Sequence, residues 1–272
     1  MNKQAKANGG RGIEWTDYTW NPIKGCFHAC QWEMPDGSIA NCYAEDVAER
    51  SMAKQHYPEG FEHHYWNPEI LDEPLKQKRP AKIFTGSMAD VFGHWVPAEQ
   101  IKAVLDIARR AHWHTFQLLT KNPKRVLEFM HDIPENVWVG ASTPPSFMWN
   151  NKLDDHRRMR LMATTLSVLA QLREHGVTTW VSAEPLNVDL GFVMWSNMVN
   201  YPDEAYPIDW IVIGAASNGS KYYPPDEKLF TGLLKVLDAN ETPVFYKGNL
   251  KSLPLAAAHW REDFPVAKAV QS

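Results

Sequence analysis

Six short runs of the chain are apolar at almost every position: 82–86, 115–120, 137–141, 178–182, 210–214 and 243–247. Each is rich in β-branched and aromatic side chains, so each reads as a strand buried on both faces. Between the runs the period lengthens. Within 98–112, Ile101, Val104, Leu105 and Ala108 fall on one helical stripe, and within 226–240 Leu229, Leu233, Leu234 and Leu237 do the same. The segment 155–175 reads as a helix closed by Gly176, and a further helix is expected from Cys42 to about Gln55. Strands alternating with helices predict parallel βαβ units. Six such strands, plus a short one before Cys26, predict a partial (β/α)6-type TIM barrel, with an open doubly wound sheet as the alternative. No repeat or Ser/Gly-rich linker divides the sequence, so one domain is expected over 13–265, flanked by tails at 1–12 and 266–272.

Composition narrows the partners. The 272 residues are 44% hydrophobic and 22% charged, enough for a sizeable core, and the formal net charge of -4 argues against coating nucleic acid or anionic membrane by charge alone. No apolar run approaches the roughly 20 residues of a membrane span. The first twelve residues carry no apolar leader stretch, so a cytoplasmic protein without membrane contact is expected.

In either fold, chemistry sits beyond the C-terminal ends of the strands. Those ends carry Ser87 and Asp90, Lys121, Ser142 and Thr143, Ser182 and Glu184, Ser217 and Asn218, and Lys247. The first strand leads into all three cysteines of the chain, Cys26, Cys30 and Cys42. An odd number of thiols in one short stretch is a poor disulfide framework and suggests a ligand set. Zinc is one reading, with His28, His56, His63 or His64 as a fourth ligand. A [4Fe–4S] cluster is another: three cysteines would leave one iron open to a cofactor or substrate. Three unliganded thiols are the third.

A family resemblance enters here. Ile13-Glu-Trp-Thr-Asp-Tyr-Thr-Trp-Asn-Pro22, Gly25-Cys26 and Asn41-Cys-Tyr-Ala-Glu45 resemble the opening signature of the phage Gp37/Gp68 family. The likeness continues in order through Ile83-Phe-Thr-Gly-Ser-Met-Ala-Asp90, Phe116-Gln-Leu-Leu-Thr-Lys121, Asn136-Val-Trp-Val-Gly-Ala-Ser142, Ser182-Ala-Glu-Pro-Leu186, Asp209-Trp-Ile-Val-Ile-Gly214 and Val244-Phe-Tyr-Lys247. That family resembles radical S-adenosylmethionine (SAM) proteins, and its strand-end motifs are similar to those of spore photoproduct lyases. The resemblance implies a radical SAM barrel whose three cysteines hold a [4Fe–4S] cluster. It also implies SAM on the open iron, cleaved to start radical chemistry, an electron donor protein, and a nucleoside or nucleic-acid substrate. The competing reading is a zinc-stabilised, non-catalytic factor that binds nucleic acid or protein. Two departures stand out. Eleven residues separate Cys30 from Cys42 where radical SAM proteins have two, and Pro35-Asp36-Gly37 within them reads as a turn able to return Cys42 to the others. Gly214-Ala-Ala-Ser-Asn-Gly219 replaces the family's Gly-Gly-Glu-Ser-Gly and loses a carboxylate.

By the same resemblance Ser87 and Asp90 would meet the methionine amino group of SAM, against a plain strand-end cap and surface turn. Lys121 would meet its carboxylate or else be a solvated lysine. Ser142 would bond the carboxylate or ribose, or cap a turn. Tyr43 would pack on the cluster or adenine, or in the core. Glu184 would contact ribose or substrate, or pair with a cation inside the rim. Trp15, Trp20, Trp32, Tyr65 and Trp66 are candidate stacking residues or simply fill the mouth. His156, Arg157, Arg158 and Arg160 form a small basic group at a helix start.

Overall fold

In the computed structural model of the chain, residues 1–4, 12–50, 53–202 and 206–266 are described. Seven parallel strands follow one another in sequence order across one sheet: β1 (Tyr18–Trp20), β2 (Lys82–Thr85), β3 (Thr115–Thr120), β4 (Val137–Ser142), β5 (Thr178–Ala183), β6 (Trp210–Ile213) and β7 (Val244–Tyr246). A monotonic order rules out the doubly wound alternative, in which the order reverses. The strand before Cys26 is β1, parallel to β2 through Tyr18–Ile83, Thr19–Phe84 and Trp20–Thr85.

Period-2 alternation explains why the strands are apolar throughout. Ile83, Phe116, Val139, Val181, Ile211 and Val244 face one core, which the helices cover. Their neighbours Phe84, Leu119, Trp138, Trp180, Trp210, Val212 and Phe245 face a second core, gathered around Trp15. The Trp15 ring lies 4.8 Å from Phe84 on β2 and 6.0 Å from Trp210 on β6, centroid to centroid. In a flat sheet those strands would stand about 19 Å apart, so the sheet curls around Trp15. It stays open: Asn2–Lys3 pairs antiparallel with β1 at one edge, and Glu262 bridges Phe245 at the other. Part of the expected 1–12 tail therefore belongs to the sheet, while 5–11 and 267–272 lie outside the described residues.

Helices α1 (Tyr43–Ala48), α2 (Ala98–Arg110), α3 (Asp155–Glu174), α4 (Leu190–Asn200) and α5 (Glu227–Ala239) fill the connections. Asp154, Asp189 and Asp226 cap α3, α4 and α5 by accepting backbone N–H groups. Gly176 follows α3 at φ +85°. The helix expected from Cys42 to about Gln55 stops at Ala48. Helix α4 has no clean stripe in the sequence, because Phe192, Trp195 and Val199 remain exposed on its outer face.

The strand ends are roofed by small antiparallel ribbons. Gln31–Glu33, Ile39–Asn41, Phe147–Met148 and Asn151–Lys152 form a four-stranded sheet, and Ala216–Asn218 pairs with Lys221–Tyr223. Asp36 at the tip of the first hairpin joins the two ribbons, accepting from Lys221 Nζ and from the Tyr223 hydroxyl, both at 2.6 Å.

Candidate active site

The cysteine loop is built by close backbone approach. Gly25 (φ +85°) donates its N–H to Met88 O and lies so near the chain at His63 that a Cβ would sit 1.7 Å from His63 O. Cys26 N–H then bonds Phe61 O. The eleven-residue gap is a β-hairpin: Gln31 pairs directly with Asn41. Cys30 and Cys42, the residues just outside that ladder, are therefore neighbours at its open end. The insert lengthens the chain without separating the thiols, as the Pro35-Asp36-Gly37 turn implies.

All three thiols are free, and they influence one another and a common neighbour, Lys121. Burial, reinforced by Asp90, pushes the Cys26 thiol well up, and burial pushes Cys30 up to about 12. Such thiols are not nucleophiles at neutral pH. What ionises a thiol in this setting is a metal, which deprotonates it outright. Burial opposes the Lys121 charge, yet the surrounding thiols and Asp90 hold its pKa above the ordinary lysine value. Its Nζ lies 3.4 Å from Ser142 Oγ and 5.9 Å from the centroid of the Trp32 ring in the roof. The Trp32 indole N–H is buried with no partner in the protein.

Asp90 is deeply buried and faces inward. Its Oδ2 accepts from His28 Nε2 (2.8 Å), Thr120 Oγ1 (3.0 Å) and the Lys121 N–H (2.8 Å), and its Oδ1 accepts from the Phe92 N–H (3.0 Å). Those four bonds use the carboxylate's main acceptor positions, so Asp90 ties the cysteine loop to the ends of β2 and β3. His28, one of the zinc-ligand candidates, bonds Asp90 through Nε2 and keeps its Nδ1 buried without a partner in the protein. Ser87 is held by the Asn21 side chain, which also accepts the Met88 N–H.

Glu184 lies across the mouth. Its Oε2 pairs with Lys247 Nζ at 2.6 Å, and its Oε1 accepts from Ser182 Oγ (3.1 Å) and Trp15 Nε1 (3.2 Å). The geometry matches the rim ion pair weighed as its alternative role. Glu14 closes the same corner by accepting the Gly248 N–H at 2.7 Å. Tyr43 is more than half exposed on α1, within electrostatic reach of Cys42 and Lys247. Trp15 and Trp20 are core residues, unavailable for stacking, because the curled sheet encloses the first and the helix layer covers the second. Asn21 and Glu14 are site residues that the sequence does not assign, and Trp32, a stacking candidate there, instead turns its ring toward Lys121. Asn21 and Glu14 stand in the opening motif, the one signal that marks them, whereas the roof that aims Trp32 at Lys121 leaves no trace in local pattern.

A curled parallel sheet with thiols at its C-terminal mouth defines the class, and a solved structure shares its fold. Spore photoproduct lyase complexed with dinucleoside spore photoproduct superposes with a TM-score of 0.57 at 9% identity, covering 85% of this chain and 77% of that one. An EAL enzyme, Bd1971, in its cAMP- and cyclic-di-GMP-bound form, aligns at a TM-score of 0.29 and 12% identity over 83% of this chain and 55% of that one, too low to carry an argument. None of the curated proteins matches by sequence. The family described as "Protein of unknown function (DUF5131)" matches residues 10–253, and the chain belongs to it. The match bears that description rather than the phage family name that the motifs resemble. Among the described residues no helix is long and apolar enough to cross a membrane.

Proposed function

We propose that this protein is a radical SAM-type enzyme whose three cysteines hold a [4Fe–4S] cluster, acting on a nucleoside-containing substrate. The observation that carries the reading is the trio of free thiols, Cys30 buried and Cys26 and Cys42 half-buried, around the Lys121 ammonium at the mouth of a sheet with the fold of spore photoproduct lyase. The donor set is thiolate alone, which suits iron–sulfur chemistry. Among the described residues no group of three or more His, Cys, Asp or Glu is arranged to hold a metal ion. That holds for a cluster and for zinc alike, so it does not choose between them. Zinc would need a fourth ligand, and the atom that keeps this second reading open is the buried Nδ1 of His28, which has no partner while Nε2 bonds Asp90.

Cys26, Cys30 and Cys42 would hold the cluster, and the bound cluster and SAM would supply one-electron cleavage of SAM. The protein's own residues orient and exclude. Lys121, with Ser142 beside it, offers a half-buried cation to a ligand carboxylate, and the Trp32 N–H offers a further donor from the roof. Asp90 and His28 fix the cysteine loop, so both are positioning residues. Glu184 and Lys247 hold the far side of the mouth, and the ribbons above it limit water entry.

Anaerobic iron and sulfide analysis tests the reading, together with the electron paramagnetic resonance of the reduced protein with and without SAM. Iron and sulfide in the parent, their loss in Cys26→Ala, Cys30→Ala and Cys42→Ala, and a SAM-dependent spectrum are expected. Full iron retention in Cys42→Ala, or a colourless parent with stoichiometric zinc, would refute it.

A further inference from the structure

Beyond the cysteine site, the outer edge of the roof carries a residue that turn chemistry does not explain. The two-residue turn joining Phe147–Met148 to Asn151–Lys152 places Trp149 at φ +49° and Asn150 at φ +58°. Such turns favour Asn-Gly, because both central residues need positive φ. A bulky residue there is strained, and strain of this kind collects at functional sites. The Trp149 N–H is tied to His28 O at 2.7 Å and its ring lies 5.6 Å from the His28 ring, centroid to centroid, while the side chain is still 50% exposed.

Beside that indole lies a cavity of about 240 Å³, lined also by Met148, Arg157, Arg160, Leu161 and Thr164. The carboxylates at the start of α3 are already used: Asp154 accepts the Arg157 backbone N–H, and Asp155 pairs with Arg158. Among the described residues the guanidinium groups of Arg157 and Arg160 have no carboxylate partner. An exposed indole and two uncompensated guanidinium groups thus share one small cleft. The indole offers a stacking face for a base. The guanidinium forks match the oxygens of a phosphate. The volume falls below the roughly 300–1,000 Å³ of a typical small-molecule site, so the cleft takes no more than one nucleotide unit, part of it left at the surface. The net charge of -4 gives a longer polyanion no general attraction, so binding here is local.

We propose that the cleft between Trp149 and Arg157/Arg160 binds one nucleotide unit, its base on Trp149 and its phosphate on the two arginines. This goes beyond the proposed radical chemistry and does not rest on it, since it needs neither iron nor SAM. Fluorescence anisotropy of a short fluorescein-labelled oligodeoxyadenylate, with dAMP as competitor, reads the site in the isolated protein. Saturable binding by the parent is expected. Trp149→Gly should weaken it by about tenfold or more, and Trp149→Phe should restore most of the loss. Arg157→Ala and Arg160→Ala should each weaken binding and each flatten the logarithmic salt dependence by about 0.7. Effective competition by dAMP would make the ligand a free nucleotide; its failure against a bound oligonucleotide would make it a strand. Glycine suits the left-handed turn, so Trp149→Gly should keep its melting temperature close to the parent's. The proposal is overturned if the parent binds neither probe, or if Trp149→Gly folds and binds as the parent does. Should Trp149→Gly fail to fold, unchanged binding in the Arg157→Ala/Arg160→Ala double variant overturns it equally.

Discussion

Lys247→Met measures what the ion pair across the mouth contributes. Its Nζ stands 2.6 Å from Glu184 Oε2, with the two side chains 27% and 16% exposed. Methionine keeps much of the stem and removes the ammonium, leaving Glu184 with the Ser182 and Trp15 donors. An exposed pair contributes about 0–1 kcal/mol, and breaking a fully buried pair costs about 3–5 kcal/mol. Partial exposure and two surviving donors place this one at about 2 kcal/mol. At about 2 °C per kcal/mol for a chain of this size, the melting temperature should fall by about 4 °C. Glu184→Gln should behave similarly, and the double variant should lose less than the two singles together. The pH dependence has a definite sign. Burial lowers the Lys247 pKa, but Glu184, then Glu14 and Tyr43, more than offset it, so on balance it is raised above 10.5. The pair's contribution is therefore complete below the unfolded value and is lost as pH rises through the higher folded one. The gap between parent and Lys247→Met should stay constant from about pH 7 to 9 and narrow only in more alkaline solution. Scanning calorimetry at several pH values reads all of this. A Lys247→Met protein melting within about 1 °C of the parent at neutral pH would refute the structural role assigned to the pair.

Asp90→Asn replaces a four-bond acceptor with a group that presents N–H to N–H. It should cost about 3 kcal/mol or more, lower the melting temperature by about 6 °C and release the cysteine loop, read as faster thiol labelling in the metal-free protein. Gly25→Ala drives a Cβ against His63 O at a positive φ. It should destabilise by at least about 2 kcal/mol, and a parental melting curve would contradict the observed close approach. Asp36→Asn should speed hydrogen exchange in Gln31–Glu33 and Ile39–Asn41 with little change in melting. Lys221, then Tyr223 and Ser38, hold the Asp36 pKa below 3.8. The same loosening should therefore appear in the parent only as pH falls below the ordinary carboxylate range, and exchange rates at the hairpin unaffected by either change would sink the clasp.

Local pattern was enough for the sheet. Strands 115–120 and 178–182 read directly as buried runs because both faces of a curled sheet are apolar, so every position carries the signal. Helices α2 and α5 were legible because one stripe of each is buried, whereas α4, with Phe192 and Trp195 left outside, has no such stripe to read. The cysteines, Ser87, Asp90, Lys121, Ser142 and Glu184 could be gathered from sequence because parallel strands deliver their C-terminal ends to one mouth. Their partners could not. The bonds from Asp90 to His28 and from Glu184 to Lys247 join residues 62 and 63 positions apart, and no local periodicity encodes such separations. Trp15, a candidate stacking residue from sequence, is a core residue because the curl of the sheet wraps β2 and β6 around it. The Pro35-Asp36-Gly37 turn in the gap before Cys42 is legible in sequence, but only the pairing of Gln31 with Asn41 fixes the register that brings Cys42 back beside Cys30. Sequence thus determined which groups reach the mouth, through strand period and position; only tertiary packing decided which of them face open space and which are consumed in holding one another, because that depends on contacts between distant segments.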